Sequence, residues 1–151
     1  MRLAIKTQVD ASLIEVIGGF TSDLFLKLNP PFPPVQLKQF DGCKAGDSVH
    51  LELNFLLFRQ EWISLITSDG RDDGEWWFVD EGTKLPFFLK KWKHHHRVVK
   101  VSSITSEIID DITYSTGTWL TDVLFYPVLY LQFLYRKPIY KRVFRSPKSR
   151  K

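Results

Sequence analysis

Trp119-Leu-Thr-Asp-Val-Leu-Phe-Tyr-Pro-Val-Leu-Tyr-Leu-Gln-Phe-Leu-Tyr135 is the stretch that decides the fold of this 151-residue chain, and its single charge is Asp122. A segment so apolar must lie in a bilayer, in a core or against something greasy. A spanning helix needs about 20 apolar residues, and an Asp near its centre costs about 2.5–3.5 kcal/mol on insertion scales. Asp122, Gln132 and Pro127 therefore argue against a span. Read as a helix of about five turns, the segment has a polar side of Thr118, Asp122, Gln132 and Arg136. Its opposite side collects Leu120, Leu124, Pro127, Leu131 and Leu134, a wide apolar stripe suited to packing on a sheet. Pro127 cannot donate an amide hydrogen and should bend the helix.

The chain before it reads mostly as strands. Arg2–Val9 alternates, with Leu3, Ile5, Thr7 and Val9 on one side. Asp10 and Ser12 can cap a short helix that Gly18-Gly19 interrupts, and a second short helix runs from Ser22 or Asp23 to Leu28. The proline-rich run 29–34 stops it. Strands are then expected over 35–40, 48–58, 61–68, 75–81, 87–101 and 106–115, with polar or glycine turns between them. The clearest is 48–58, where Val49, Leu51, Leu53, Phe55 and Leu57 alternate with His50, Glu52 and Asn54.

Length and composition allow one domain with one sizeable core. Aromatic residues make up 15% of the chain, which suits either a packed core or an apolar pocket. The single Cys43 excludes an intrachain disulfide, and the N-terminus lacks a signal-peptide pattern, so a cytoplasmic protein is expected. The net charge of +4 conceals an asymmetry: all 17 acids lie at or before Asp122, whereas eight of the 21 Lys and Arg lie in 136–151. That basic end is either a solvated terminus or a contact for polyanions. The acidic body argues against nucleic acid as a partner.

The order strand, two short helices, six strands and a long last helix resembles the START-like helix-grip superfamily, also called SRPBCC. This superfamily includes birch-pollen-allergen-like proteins, polyketide cyclases and coenzyme Q-binding proteins. Phe25-Leu-Lys-Leu-Asn-Pro30, Asp41-Gly42, Gly46-Asp47, Trp92-Lys-His-His-His96 and Tyr126-Pro127 with Gln132-Phe133 and Tyr135-Arg136 look like a bacterial branch of it. The resemblance implies an α+β fold in which a curved antiparallel sheet of about seven strands wraps a long C-terminal helix. It covers 1–144 as the ligand-binding domain and leaves 145–151 as a basic, disordered tail. It also implies a hydrophobic cavity between sheet and helix for a lipid, a quinone or an aromatic, polyketide-like molecule. The expected lining is Phe55, Trp77, Trp92, His94, His96, Tyr114, Leu120, Leu124, Pro127 and Leu131. A binder is favoured over an enzyme, because the superfamily shares no catalytic motif. One alternative is a cyclase or dehydratase acting on such a ligand. Another is a lipid or quinone shuttle that docks on anionic membrane through Arg136, Lys137, Lys141, Arg142 and Arg145.

Two constellations bear on chemistry. On a strand, His94 and His96 share one face with Trp92 and Val98 while His95 points away. A catalytic zinc site needs a third ligand, and no Cys or further His stands at ligand spacing, so neither a metal nor a cofactor is expected. Of Asp110-Asp111, one must point inward, and it is a candidate general base alongside Glu75 and Glu52. Walker, dinucleotide and nucleophile-elbow motifs are absent.

Overall fold

The computed structural model describes residues 1–145. All of the expected tail except Arg145 therefore lies outside the described residues. In chain order the elements are β1 (Arg2–Val9), α1 (Leu13–Gly19), α2 (Ser22–Leu28), β2 (Val35–Phe40), β3 (Ser48–Asn54), β4 (Arg59–Arg71), β5 (Glu75–Lys84), β6 (Lys91–Lys100), β7 (Ser106–Ser115) and α3 (Trp119–Val143). The strands form one antiparallel sheet in the order β1-β7-β6-β5-β4-β3-β2. β2 to β7 form a meander. The α1–α2 excursion lets β1 pair with β7 at the far edge. This is the α+β helix-grip arrangement, with a curved sheet, two short helices after the first strand and a long last helix.

Local chemistry explains most boundaries. Strict alternation in β1 buries Leu3, Ile5, Thr7 and Val9. Ser12 and Glu15 form a reciprocal capping box at the start of α1: the Glu15 amide donates to the Ser12 hydroxyl, and the Ser12 amide donates to the Glu15 carboxylate. β3 stops at Asn54, short of the expected 58, because the Phe55 amide turns back to the Phe58 carbonyl at 2.9 Å. β4 runs on through 69–71, where the sequence suggests a polar turn. β6 begins at Lys91 and not at 87, because Leu89 closes a turn onto Pro86.

The last helix departs most from expectation. It continues unbroken past both Pro127 and Pro138 to Val143. Its buried residues are Asp122, Leu129, Phe133 and Tyr140, whereas Leu120, Leu124, Pro127, Leu131 and Leu134 face outward. The face expected to meet the sheet is thus the outer one. Asp122 turns inward because the preceding turn satisfies it. The Thr116 amide and hydroxyl donate to its carboxylate at 2.5 and 2.8 Å, and the N-terminal ammonium lies 3.9 Å away. A buried charge so partnered costs little, and those hydrogen bonds hold its carboxyl below the ordinary Asp range.

Two clusters fill the interior. One gathers α1, α2 and the end of α3 around Phe20, Trp76, Phe78, Tyr140 and Phe144. The other lies under the first half of α3 around Trp92, Ile112, Tyr114, Leu129 and Phe133. No helix among the described residues is long and apolar enough to cross a membrane.

Candidate functional site

Between α2, the concave face of the sheet and the middle of α3 lies a cavity of about 290 Å³. Its walls are apolar: Phe25 and Leu28 come from α2, Val49 and Leu53 from β3, Trp62 and Trp92 from β4 and β6, and Val128, Leu129 and Phe133 from α3. Its mouth carries a connected set of rings. Phe55 contacts Phe32, Phe58, Phe87 and Phe88, and Phe88 reaches Phe125 of α3.

The inner end is polar and is set by strand register. Trp92, His94, His96 and Val98 alternate inward on β6. Asp80 of β5 stands opposite His94, and Asp110 of β7 stands opposite His96. Ser64, Gln132 and Arg136 complete this end of the cavity. Phe78 stacks on His96 at 4.3 Å, and Phe133 meets the His94 ring edge-on at 5.1 Å, so neighbouring rings fix both imidazoles.

Asp110 organises the group. Its Oδ1 lies 2.9 Å from His94 Nε2, 3.6 Å from His96 Nδ1, 3.5 Å from the Tyr140 hydroxyl and 3.9 Å from Arg136 Nη1. Burial holds both His well below their ordinary value, so both are neutral. Burial also raises the Asp110 carboxyl, against the pull of Arg136. Asp80 is pushed up to about 6 by burial, with Ser64 and Trp92 opposing. Two buried polar atoms at this end, His96 Nδ1 and Asp80 Oδ1, lack a hydrogen-bond partner. A neutral imidazole held by a carboxylate can accept a proton or bind a cation.

Of the ten expected lining residues, the cavity brings together Phe55, Trp92, His94 and His96. Trp77 is on the convex face, where its ring covers Gly70 and meets His95; the inward indole is Trp76, packed against Phe20 and Phe78. Tyr114 is buried, but its hydroxyl donates to the Asp122 carbonyl at 2.6 Å and closes the start of α3. Leu120, Leu124, Pro127 and Leu131 lie on the outer face of α3 because of the inverted helix phase. Arg136, one of the basic residues of the alternative membrane contact, lines the cavity and stacks over Phe133 at 4.1 Å. Asp80 is a site residue that the sequence reading does not single out. Its signal is the same alternation that sends Trp76 and Phe78 inward.

Among solved structures, norcoclaurine synthase from Thalictrum flavum, bound to a transition-state analogue as a point mutant, has a similar fold. Its TM-score is 0.65 at 12% identity, over 95% of this chain and 93% of that one. A Bacillus thuringiensis protein aligns with TM-score 0.65 at 14% identity, over 95% and 98% of the two chains. A Nitrosospira multiformis protein aligns over the full length of both, with TM-score 0.63 and 12% identity. No family model matches the sequence, and no curated protein does. At such identities the likeness establishes the helix-grip fold.

Proposed function

We propose that this protein binds a small hydrophobic molecule carrying one polar end, held between sheet and α3. The observation that supports it is an apolar-walled cavity ending in buried, unpartnered polar atoms on His96 and Asp80. An unpaired buried polar atom costs about 1–3 kcal/mol, so a ligand group that pairs it recovers that cost. A volume of 290 Å³ is at the small end for ligand pockets and favours one or two rings, or a short acyl chain, over a whole phospholipid. The fold neighbour norcoclaurine synthase has been solved with dopamine and hydroxybenzaldehyde, molecules of this size class. The test is displacement of a fluorescent lipophile from purified protein. Val128→Trp, a half-exposed position that lines the cavity, should weaken probe binding at least tenfold with an unchanged unfolding midpoint. Unaltered binding in that variant, or no saturable binding in the wild type, overturns the reading.

A second reading, loading of that ligand at a membrane surface, is favoured by the outside of α3 and the β3–β4 loop. Trp119, Leu120, Leu124 and Leu131 are exposed along the helix, and Lys141 and Arg142 are exposed near its end. Leu56 and Leu57 at the loop tip are 82% and 95% exposed. The ring network at the mouth joins these two apolar surfaces, so a lipophile could pass between bilayer and cavity without crossing water. Co-sedimentation with anionic vesicles should fall sharply in Leu57→Glu and Leu124→Glu, and fall with added salt. Binding that ignores both changes excludes this docking face.

A further inference from the structure

The sequence pairs two histidines on one strand face without an evident third ligand, and the sheet supplies one. Asp110 stands directly across from His96 on β7. One ligand atom from each of His94, His96 and Asp110 lies within 4.8 Å of the others, and all three residues are buried. We propose that these three side chains bind one first-row divalent transition-metal ion, with the ion's remaining positions open to the cavity.

The donor set selects the ion class. Two neutral imidazoles and one carboxylate suit zinc or ferrous iron, whereas magnesium and calcium prefer all-oxygen surroundings. Metal–ligand bonds of about 2.0–2.2 Å place neighbouring donors roughly 3.0–3.5 Å apart. His94 Nε2 and His96 Nδ1 already stand 2.9 and 3.6 Å from Asp110 Oδ1, so small side-chain rotations complete the geometry once the ion displaces to solvent the proton shared by His94 and Asp110. His96 Nδ1 is buried without a hydrogen-bond partner, so its lone pair is available to an ion, and the polar end of an organic ligand would then meet Asp80. Tyr140, fully buried, places its hydroxyl 3.5 Å from the same carboxylate oxygen and can orient it. Three protein ligands with open positions beside a cavity is the arrangement of reactive sites, not of closed structural ones.

Arg136 is the built-in competitor. Its Nη1 stands 3.9 Å from Asp110 Oδ1, beyond hydrogen-bond range, and its side chain remains partly exposed. A dication on Asp110 would repel it toward the cavity.

The experiment uses the full chain, stripped with a chelator and titrated with Zn²⁺ by calorimetry and with Co²⁺ by visible absorption. One equivalent should bind. His96→Gln and Asp110→Asn should each weaken binding at least tenfold. Arg136→Gln, which removes the opposing charge, should tighten it several-fold. His50→Gln and His95→Gln should leave it unchanged. Circular dichroism checks that each variant folds. Should His96→Gln unfold, X-ray absorption of the zinc-loaded wild type decides instead, with two imidazole nitrogens expected at about 2.0–2.1 Å. No stoichiometric binding overturns the proposal. So does binding that survives His96→Gln, or binding lost in His50→Gln or His95→Gln. Lipophile displacement is read separately, so a chain that binds the ion but no probe sinks only the ligand reading.

Discussion

His94 Nε2 lies 2.9 Å from Asp110 Oδ1, and neither side chain is more than 4% exposed. The pair bridges β6 and β7 at the polar end of an otherwise greasy cavity. A buried pair of this kind contributes to the fold and also equips the site.

The first expectation concerns that pair. In a double-mutant cycle with His94→Phe and Asp110→Asn, followed by urea unfolding, the two positions should couple by about 0.5–3 kcal/mol. His94→Phe removes the contact and Asp110→Asn strips it of its charge, so each should destabilise on its own. Strict additivity would mean that the contact is not energetically real.

Asp80 should make stability depend on pH in a direction opposite to an ordinary carboxylate. Its unfolded-state carboxyl ionises near 3.8 and its folded one near 6. Between those values the folded chain holds a proton that the unfolded chain has released, so rising pH weakens the fold. Asp80→Asn removes this effect. Its stability relative to wild type should rise from pH 4 to about pH 7 by up to about 3 kcal/mol and then level off. Urea midpoints at four pH values check it; a pH-independent difference would refute it.

Leu56 adopts a left-handed backbone conformation, with φ of 70°, at an exposed loop tip. Such a conformation costs a non-glycine residue roughly 1–2 kcal/mol, and a β-branched residue more. Thermal unfolding should therefore rank Leu56→Gly as the most stable, wild type next and Leu56→Val the least. If the apolar tip serves a membrane surface, Leu56→Gly should also lose vesicle binding while gaining stability.

Cys43 is largely enclosed. Burial, then the charges of Asp47, Asp80 and Asp69, push its thiol up to about 12 from an ordinary 9.0. At pH 8 this leaves a thiolate fraction roughly a thousandfold below that of an exposed cysteine, and the thiolate is the reactive form. A disulfide-exchange reagent should modify native Cys43 far more slowly than the urea-unfolded chain. Equal rates would show the site to be open.

The element order, the strand content and the grouping of Trp92, His94, His96 and Val98 on one face of β6 followed from the sequence alone, because alternation and helical spacing are local properties. Val49 and Leu53 on β3 read as the apolar face for that reason, and they are inward; on β6 both alternations carry polar groups, so the sheet alone decided that the face of Trp92, His94 and His96 looks inward. Tertiary structure decided what periodicity leaves degenerate. In Trp76-Trp77 the spacing requires one indole per face without saying which, and packing against Phe20 selected Trp76. In α3 nearly every residue is apolar, so several helix phases bury similar area. Hydrogen bonds from Thr116 to Asp122 and the seating of Phe133 and Tyr140 chose among them, and so turned the leucines outward. The cluster of His94, His96 and Asp110 is likewise a product of strand register, which brings together groups 14 and 16 residues apart along the chain. No local pattern encodes a contact whose energy depends on which strand lies next door.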